Sequence, residues 1–360
     1  MSEREVHEAI EKAATLQPSR RQFTAGALGA AALTALAPSV AEAGEKTLAA
    51  VPPAGFVPFS APGRVIEVKK AGSLQENKLY PKADDAKEML TRVLTELTGA
   101  ADLQSAVSKF VHKDDIVCVK VNGIARQNMA TAKELVLPFL EAMIANGVKP
   151  ENITVLEQYI GFFTATRLNQ QNLPPGVKMS IHQNKDAVMA DRLIPGTGTR
   201  TKFVKAVTDS TAVINFALVK DHSIQGYTGA LKNMTHGCSI NPHDFHARDG
   251  RPQIAQMYAQ DVIKSRVRLC ISDAFKVMAD GGPLWKQPQW VKPYEAVLAS
   301  TDPVALDTIG WEILEAHRKG FNIKSLAEAG REPVYIKAAE GLGLGIHDRS
   351  KIQLKNIVIA

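Results

Sequence analysis

Four of the nine histidines in this 360-residue chain lie between Lys220 and Asp249: His222, His236, His243 and His246. Lys232, Asn233 and the run NPHDFHARDG occupy the same stretch. Imidazole, ammonium and carboxylate groups are what a metal site or an anion site requires. The sequence therefore predicts a functional site in this segment, although its residue types do not identify a substrate.

Two of these histidines have a spacing that suits a metal. His243 and His246 are three residues apart, so on a helical turn both imidazoles would face the same way. With His222 as a third ligand, we expect a site for one divalent transition metal, and Asp249 is a candidate further ligand or orienting carboxylate. The alternative is that these are solvated loop histidines, since HxxH without a Glu base is a weaker pattern than HExxH.

Two lysines in the same segment suit an anion. Lys220 follows a predicted strand, and Lys232-Asn233 follows Tyr227-Thr228-Gly229-Ala230, where the glycine should open a helix whose free N–H groups favour an anion. We expect Lys220 and Lys232 to hold a carboxylate or phosphate oxygen, with Thr228 and Asn233 contacting the ligand. The alternative is a structural network in which both lysines pair with Asp221, Asp273 or Asp302.

Four predicted strands run directly into polar residues: Asn122-Gly123, Lys220-Asp221-His222, Asp273 and Asp302. Ligands of open α/β sheets bind beyond the carboxyl ends of the strands, so these positions are expected to converge. Asp273 and Asp302 are then candidates to move a proton beside the two lysines, and Asn122 to contact the ligand. Helix capping is the alternative, above all for Asp302, which precedes Pro303.

Gly282 and Asp307 complete the candidate set. Gly281-Gly282 before Pro283 could bring backbone close to a ligand or act as a hinge; the alternative is a tight turn with Trp285 and Trp290 covering the core edge. Asp307 lies within a predicted helix, and an inward carboxylate there would need a cationic partner, for which Lys220 and Lys232 are the candidates.

Alternating strands and helices must position these residues. Between Ile116 and Leu156 a strand, a helix and a second strand form a βαβ unit, which implies parallel pairing. The sequence predicts an α/β fold with a mainly parallel sheet and helices on both faces. Strands are predicted at 64–69, 116–121, 153–156, 212–219, 267–272, 296–300 and 352–359, and helices at 84–97, 131–146, 253–265, 303–318 and 334–341.

The chain divides into a leader, an arm and one domain. Ser19-Arg20-Arg21-Gln22-Phe23, a weakly apolar run and Ala41-Glu42-Ala43 indicate a twin-arginine export signal over residues 1–43. This predicts a periplasmic protein that the Tat translocase exports, without a stable membrane span because the apolar run is too short; the alternatives are a basic arm or a short anchor. Residues 44–63 are a proline-rich extended arm, and residues 64–360 are a single α/β domain.

Charge and cysteine content exclude several functions. The net charge is +6, but basic and acidic residues are interspersed and aromatic residues make up 6%, so no nucleic-acid surface is predicted. Cys118, Cys238 and Cys270 lie far apart without a CxxC motif, so neither an iron–sulfur cluster nor a zinc knuckle is expected. Cys118 and Cys270 lie in apolar runs typical of buried thiols, whereas Cys238 lies beside the histidines and is a candidate ligand.

Four motifs together resemble the bacterial and archaeal family known as domain of unknown function 362. They are VKVN at 119–122, LVKDHSIQGYTGALKN at 218–233, ISDAFKVMADGGP at 271–283 and LASTDPVALDTIG at 298–310, and the resemblance covers about residues 64–320. The family's chemistry is largely unassigned. Many of its members carry a ferredoxin-like cysteine-rich segment, which this chain lacks.

Two functional hypotheses follow. The first is an exported enzyme that acts on a small anionic substrate by a metal-assisted or redox step, with Lys232 stabilising charge. The second is a non-catalytic periplasmic protein that binds or delivers a metal or an anion. An enzyme requires an open coordination position and a base within hydrogen-bond reach, whereas a carrier requires a saturated site.

Overall fold

The architecture is that of a computed structural model, which describes residues 47–185, 190–246, 252–284 and 286–360. In these ranges one mixed sheet contains nine strands, with β11-β1-β10-β9-β7-β2-β3-β4 in spatial order and β8 paired to β7; β5 and β6 form a separate hairpin. The strands are β1 Arg64–Lys69, β2 Val117–Lys120, β3 Ile153–Glu157, β4 Lys178–Ile181, β5 Ala190–Ile194, β6 Thr199–Phe203, β7 Ala212–His222, β8 Gly226–Thr228, β9 Val267–Met278, β10 Val291–Ser300 and β11 Gln353–Val358.

The predicted α/β class with a mainly parallel sheet is confirmed. Strands β4, β3, β2, β7 and β9 pair in parallel, as do β1 and β11. Only β10 and the short β8 run the other way in the described sheet. The βαβ unit predicted around β2 and β3 is therefore present, with its helix between them.

Helices cover both faces of the sheet. In the described ranges they are α1 Ala83–Thr98, α2 Leu103–Val107, α3 Lys133–Ala145, α4 Ile160–Ala165, α5 Lys205–Thr208, α6 Ala230–Thr235, α7 Pro242–His246, α8 Gln253–Tyr258, α9 Asp261–Lys264, α10 Pro303–Gly320 and α11 Tyr335–Gly341. None of these helices is both long and apolar enough to cross a membrane.

Side-chain alternation along the strands divides the core into two layers. Val213 and Cys270 belong to the layer beneath α6, α8 and α10, while the next residues, Ile214 and Ile271, belong to the layer beneath α1 and α3. These strands are buried on both faces, which explains why they read as continuous apolar runs in the sequence.

Four predicted elements differ by three or more residues from the observed ones. Strand β7 continues three residues past the predicted end at Val219 and so includes Lys220, Asp221 and His222. Strand β9 continues six residues past the predicted end at Ser272, and β10 begins five residues before Ala296. The single helix expected over 253–265 is two short helices, α8 and α9. The direction of β10 matters most: Ser300 pairs with Cys270 near the start of β9, so the carboxyl end of β10 lies at the opposite edge of the sheet from those of β2 and β7.

The arm before β1 has no regular strand or helix in its described part, 47–63, and it is fixed by hydrogen bonds. The Leu48 amide donates to Asp261 Oδ2 over 2.6 Å and the Ala50 amide to Ser265 Oγ over 2.8 Å. The Phe59 amide donates to the Lys109 carbonyl over 2.8 Å. The arm thereby packs along the domain before entering the sheet at Arg64.

Candidate functional site

A cavity of about 190 Å³ lies at the carboxyl ends of β2, β3 and β7. Its described polar lining combines lysines, histidines, amides and two carboxylates, and the apolar part includes Ile124, Phe162 and Ile240. The polar residues are Lys120, Asn122, Glu157, Gln158, Asn184, His222, Thr228, Lys232, Asn233, His236, Asn241, His243, Asp244 and His246.

Three of these side chains belong to residues at the ends of parallel strands. Lys120, Glu157 and His222 are the last residues of β2, β3 and β7. Lys120 pairs with Leu156 on one side and Asn215 on the other, so β2 and β3 end within one residue of each other, whereas β7 continues seven residues past this level to His222. The expected location beyond the carboxyl ends is thus where the histidines and lysines meet.

A hydrogen-bonded chain links two buried lysines across the base of the cavity. Lys120 Nζ forms an ion pair with Glu157 and also donates to Asn233 Oδ1 over 3.3 Å. Asn122 Nδ2 donates to the same Asn233 oxygen over 3.1 Å, and Asn122 Oδ1 accepts from Lys220 Nζ over 3.4 Å. The amides therefore fix the positions of the two ammonium groups relative to each other.

Lys220 is fully buried behind this lining. Besides Asn122, its Nζ donates to the Pro283 carbonyl over a long 3.5 Å, and no carboxylate of the described residues lies within ion-pair distance. Burial lowers its pKa from 10.5 to about 7. Lys220 therefore lies in an environment that disfavours its own charge.

His222 and His246 form a contact whose proton arrangement follows from their other hydrogen bonds. His222 Nδ1 accepts from the amides of Ile224 and Gln225, over 3.2 and 3.3 Å, so the proton of the neutral ring is assigned to Nε2. His246 Nδ1 donates to the Pro242 carbonyl over 3.0 Å, which leaves its Nε2 as an acceptor. The two Nε2 atoms are 3.2 Å apart, so His222 donates to His246.

A third imidazole completes the cluster. His236 lies edge-on to His246, with ring centroids 4.6 Å apart, and its Nε2 is 3.4 Å from Gln225 Nε2. Burial, followed by the Lys232 charge, holds the pKa of His222, His236 and His246 well below 6.5. The cluster is therefore neutral in the absence of an anion.

Lys232 lies among these imidazoles. Its side chain is buried, and among the described residues its Nζ has one hydrogen-bond partner, His246 Nε2 at 3.3 Å, and no carboxylate partner. Burial, and then the charge of Lys220, place the pKa of Lys232 well below 10.5. Lys232 is therefore shielded from bulk solvent but lines the cavity, next to the unprotonated Nε2 of His246.

Basic side chains, counting lysines and neutral imidazoles together, outnumber acidic ones in the described lining of the cavity. Its described carboxylates are Glu157, which is paired with Lys120, and Asp244, which is exposed and accepts from Asn241 Nδ2 over 2.8 Å. Lys232 and the imidazoles are left without a compensating acid. An anion is the complement that this lining lacks.

The structure brings together most of the predicted site residues and separates the rest. Within the cavity lining lie Asn122, His222, Thr228, Lys232, Asn233, His243 and His246, with Lys220 directly behind. His243 is exposed, unlike His222. Asp273, Asp302, Asp307 and Gly282 do not line the cavity.

Asp302 is an N-cap, the alternative stated for it from the sequence. Its Oδ1 accepts from the amides of Val304 and Ala305 at the start of α10, and its Oδ2 accepts from Gly63 and Ile346, all over 2.9–3.0 Å. The expected convergence with the other strand ends is wrong for Asp302, because β10 runs antiparallel and its carboxyl end lies at the other edge.

Asp307 also binds backbone, not a lysine. It accepts from the amides of Ala230 and Leu231 over 2.6 and 2.9 Å. The predicted helix opening after Gly229 is therefore present, but Asp307 occupies the first two N–H groups that were expected to hold an anion. The expected pairing of Asp307 with Lys220 or Lys232 is wrong for the same reason.

Asp273 lies within β9, not at its end, and its Oδ2 accepts from the Ala132 amide over 2.7 Å at the start of α3. It lines a second, much smaller pocket with Lys276. Burial raises its pKa to about 6. Its position on the α3 side of the sheet separates it from the lysines it was expected to assist.

Gly282 approaches the protein's own backbone. A Cβ at this position would lie 1.9 Å from the Asp221 carbonyl oxygen, and the Gly282 amide donates to Asp221 Oδ2 over 3.0 Å. This close packing against β7 places the next residue, Pro283, in the cavity wall. Gly282 therefore contributes to the site through the position of its loop.

The predicted structural network of lysines with aspartates is not observed among the described residues. Asp221 instead pairs with Arg331 at 2.8 Å and lies 3.6 Å from Arg318. Arginine satisfies this buried carboxylate, and the adjacent Lys220 has no acidic partner among the described residues.

A metal at His222, His243 and His246 stays a prediction. Within the described residues no group of three His, Cys, Asp or Glu side chains is arranged to hold an ion. His246 has the proton arrangement of a ligand, with Nδ1–H on a carbonyl and Nε2 unprotonated, but that Nε2 accepts from His222, whose proton lies on the nitrogen that faces the cluster. Asp249 lies outside the described residues, as do Trp285 and the leader.

All three cysteines are buried and free, as predicted for Cys118 and Cys270. Cys238 lies beneath α6, where its Sγ contacts the Asn233 carbonyl at 3.8 Å. Burial raises the pKa of this thiol to about 12, which disfavours the thiolate that a metal would require.

Sequence reasoning missed three members of the site: Lys120, Glu157 and His236. A lysine within the apolar run IVCVKV was a signal for Lys120, since a charged residue in a buried strand requires a partner. Glu157 directly follows the predicted strand 153–156, so a polar residue at a strand end was its signal, as it was for Asn122. His236 was noted with the other histidines, and its place beside His246 depends on the packing of α6 against α7.

Comparison with known proteins identifies the family to which the chain belongs. No curated protein matches the chain significantly. A family model, Domain of unknown function (DUF362), matches residues 117–312, which include β2, β7, the cavity histidines and α6. That match spans more than half of the 360 residues, and the chain therefore belongs to the DUF362 family.

Proposed function

We propose that the protein binds a small anionic substrate, through its carboxylate or phosphate group, in the cavity at the ends of β2, β3 and β7, and acts on it as an enzyme. The observation that carries this proposal is Lys232, a buried amine that faces the cavity and has an imidazole, not an acid, as its described partner. Lys220 adds a second buried ammonium without an ion-pair partner.

Energetics support a ligand as the missing partner. Burying a charge without compensation costs several kcal/mol, so an amine in such a place is either neutral or awaits an anion. Strongly perturbed groups gathered in one cleft are typical of functional sites. A bound anion would restore the charged state of Lys232 and Lys220, so binding is expected to be accompanied by proton uptake.

Cavity size favours a small ligand. Drug-sized ligands occupy pockets of roughly 300–1,000 Å³, whereas this cavity holds about 190 Å³. Catalysis, as opposed to storage, is supported by the contact of Lys232 with His246, which gives the site an amine and an acceptor base within 3.3 Å of each other.

The test is calorimetric titration of the full chain with inorganic phosphate and, separately, with pyruvate, in two buffers of different ionisation enthalpy. We expect binding with net proton uptake, weakened at least tenfold by Lys232→Met because the substitution removes the amine that faces the ligand. Lys351→Met removes an exposed lysine of equal charge outside the cavity and should change nothing. The proposal would be overturned if neither anion binds, or if Lys232→Met binds with the affinity of the wild type.

Metal-assisted chemistry is the variant that His246 supports through its unprotonated Nε2. Elemental analysis of protein purified without chelator or affinity metal tests it. About one equivalent of a transition metal, lost in His246→Ala and kept in His317→Ala, would support a metal centre; equal metal content in both variants would remove His246 from it. His317 is a suitable control because its Nδ1 also binds a backbone carbonyl, at 2.9 Å, on α10.

We further propose that the protein acts in the periplasm after export by the Tat translocase. Ser19-Arg20-Arg21-Gln22-Phe23, the apolar run after it and Ala41-Glu42-Ala43 support this. These residues lie outside the described ranges.

A further inference from the structure

Part of the cavity wall cannot contact the charged group of a ligand. Five side chains from four segments of the chain form this part, which we call the apolar wall: Ile124, Phe162, Ile240, Pro242 and Pro283. A polar ligand atom placed against these side chains would lose its hydrogen bonds to water without replacement, whereas an apolar group gains free energy by leaving water there. The portion of the ligand that meets the apolar wall is therefore apolar.

Phe162, the largest side chain of the apolar wall, is held in place from several sides. A Cβ at Gly123 would lie 1.8 Å from the Phe162 carbonyl oxygen, so α4 packs directly on the loop that follows β2. The Phe162 ring meets the Tyr159 ring edge-on, with centroids 5.2 Å apart, and the Arg126 guanidinium lies 5.2 Å over it. Asn184 Nδ2 donates to the Tyr159 hydroxyl over 2.9 Å. The apolar wall is thus formed before any ligand enters.

The polar lining leaves Lys232 and Thr228 for the charged end of a ligand. Every side-chain amide of the described lining already donates to a protein acceptor, and Lys120 is paired with Glu157. Lys232 has no acidic partner among the described residues, and Thr228 Oγ1 is buried there without any hydrogen-bond partner. Buried hydroxyls are nearly always paired, so this one is suited to a ligand oxygen.

These two donors match a carboxylate better than a phosphate. A carboxylate has two oxygens, which an ammonium and a hydroxyl can each contact. A phosphate group presents at least three strong acceptor oxygens, and its remaining oxygens would lie near the apolar wall without donors.

The volume of the cavity limits the apolar part of the ligand. An apolar cavity of roughly 150 Å³ accommodates benzene. The present cavity of about 190 Å³ therefore has room for one ring and one carboxylate, but not for a second ring or a nucleotide.

We infer that the ligand is a monocarboxylate with a single apolar body about the size of one ring, and that Phe162 is the residue that selects this body. This deepens the proposed function and rests on it, since the carboxylate is the anion that Lys232 would hold. A sugar acid or a dicarboxylate of similar size would place polar atoms against Ile124 and Phe162.

A ligand series tests the inference on the full chain by calorimetric titration. Benzoate should bind at least tenfold more tightly than acetate, because its ring leaves water at the apolar wall. Benzyl alcohol has the same ring without the charge and should bind at least tenfold more weakly than benzoate. Terephthalate carries a second carboxylate at the far end of the ring and should also bind at least tenfold more weakly.

Phe162→Ala tests the assigned residue. We expect it to weaken benzoate binding at least fivefold and to leave acetate binding unchanged, a pattern that general loss of the fold would not produce. Phe321→Ala is the matched control and should bind both ligands as the wild type does. Phe321 has similar surroundings, with the Trp290 ring edge-on at 5.1 Å and Lys292 Nζ 5.7 Å over its ring, but it does not line the cavity.

The ligand series on the wild-type protein does not depend on the folding of any variant. The inference would be overturned if benzoate binds no more tightly than acetate, if terephthalate equals benzoate, or if Phe162→Ala keeps full affinity for benzoate. Binding of acetate or phosphate without a gain from the ring removes only the apolar ligand class. Failure of acetate, benzoate and phosphate alike removes the proposed anion site as well.

Discussion

Lys220 lies fully inside the protein with only long hydrogen bonds, from its Nζ to Asn122 Oδ1 at 3.4 Å and to the Pro283 carbonyl at 3.5 Å. A residue chosen for stability at this position would be apolar, because desolvation of an ammonium without a carboxylate partner is unfavourable. Local violations of this kind are concentrated at functional sites. Lys220 is therefore expected to cost stability and to serve binding.

Replacing Lys220 by methionine tests whether this lysine lowers stability and supports anion binding. Burial lowers the folded-state pKa to about 7 from 10.5. The unfolded chain therefore binds the proton more tightly between these values, and wild-type stability rises with pH across that window. Lys220→Met lacks this rise. We expect it to be about 1–3 kcal/mol more stable than wild type below pH 7, with the advantage shrinking as pH increases, and to bind phosphate more weakly.

Urea unfolding at pH 6 and pH 9 measures both parts of this expectation. Lys351→Met, at an exposed position, should track the wild type at each pH. If Lys220→Met is less stable than wild type at pH 6, the lysine is a structural residue, and the expectation that it lowers stability is wrong.

At the scale of elements, the start of α6 depends on a glycine. Gly229 precedes the helix, and the Asp307 carboxylate from α10 accepts from the Ala230 and Leu231 amides directly after it. A Cβ at Gly229 would lie 2.1 Å from Asp307 Oδ1 and 2.4 Å from a ring carbon of Tyr227. Only a residue without a side chain allows α10 to approach α6, the helix that carries Lys232 and Asn233.

Gly229→Ala is therefore expected to be strongly destabilising, by about 3 kcal/mol or more, because it overpacks the core and displaces a buried cap. Gly320→Ala is the matched control, since a Cβ there meets nothing within 4 Å at the end of α10. That change should leave stability unchanged or raise it by about 0.5 kcal/mol. Thermal unfolding of the two variants decides it, and similar melting temperatures would contradict the role of Gly229.

At the scale of the whole molecule, the parallel core of the sheet and its one long reversed strand have separate consequences. The last residues of the parallel strands β2, β3 and β7 line the cavity. Strand β10 returns Asp302 to the opposite edge, where it joins the arm, α10 and the segment before β11. One edge of the sheet holds the candidate site, and a buried carboxylate ties segments together at the other.

The cellular location of the protein is a second prediction that concerns the whole molecule. Replacing Arg20 and Arg21 by Lys should block export, because the Tat pathway reads the arginine pair, and the precursor should then accumulate in the cytoplasm. Arg4→Lys, in the same leader but outside the motif, should export normally. Cell fractionation with immunoblotting is the measurement, and mature protein outside the cytoplasm of the double variant would refute the twin-arginine interpretation.

Local pattern was enough to predict the class of fold and the region of the site. Apolar runs such as the one around Cys118 indicated strands buried on both faces, and the spacing from Pro303 to Arg318 indicated a helix; both are present. Hydrophobic periodicity depends on neighbours in sequence, so the sequence alone reports it. The histidines and lysines between 220 and 246 were identified for a similar reason, since their chemistry is legible without their positions.

Tertiary pairing decided the rest. The direction of β10 depends on which strands it lies between, and that direction separated Asp302 from Lys220. Asp307 accepts hydrogen bonds from backbone amides because α10 packs on α6. His236 and Lys232 contact His246 because α7 packs over the cavity. Residue types and spacing thus determined which groups were available for chemistry. Contacts between segments far apart in sequence determined which of those groups share one cavity, because side-chain partners across a sheet are set by strand order and register, which no local pattern encodes.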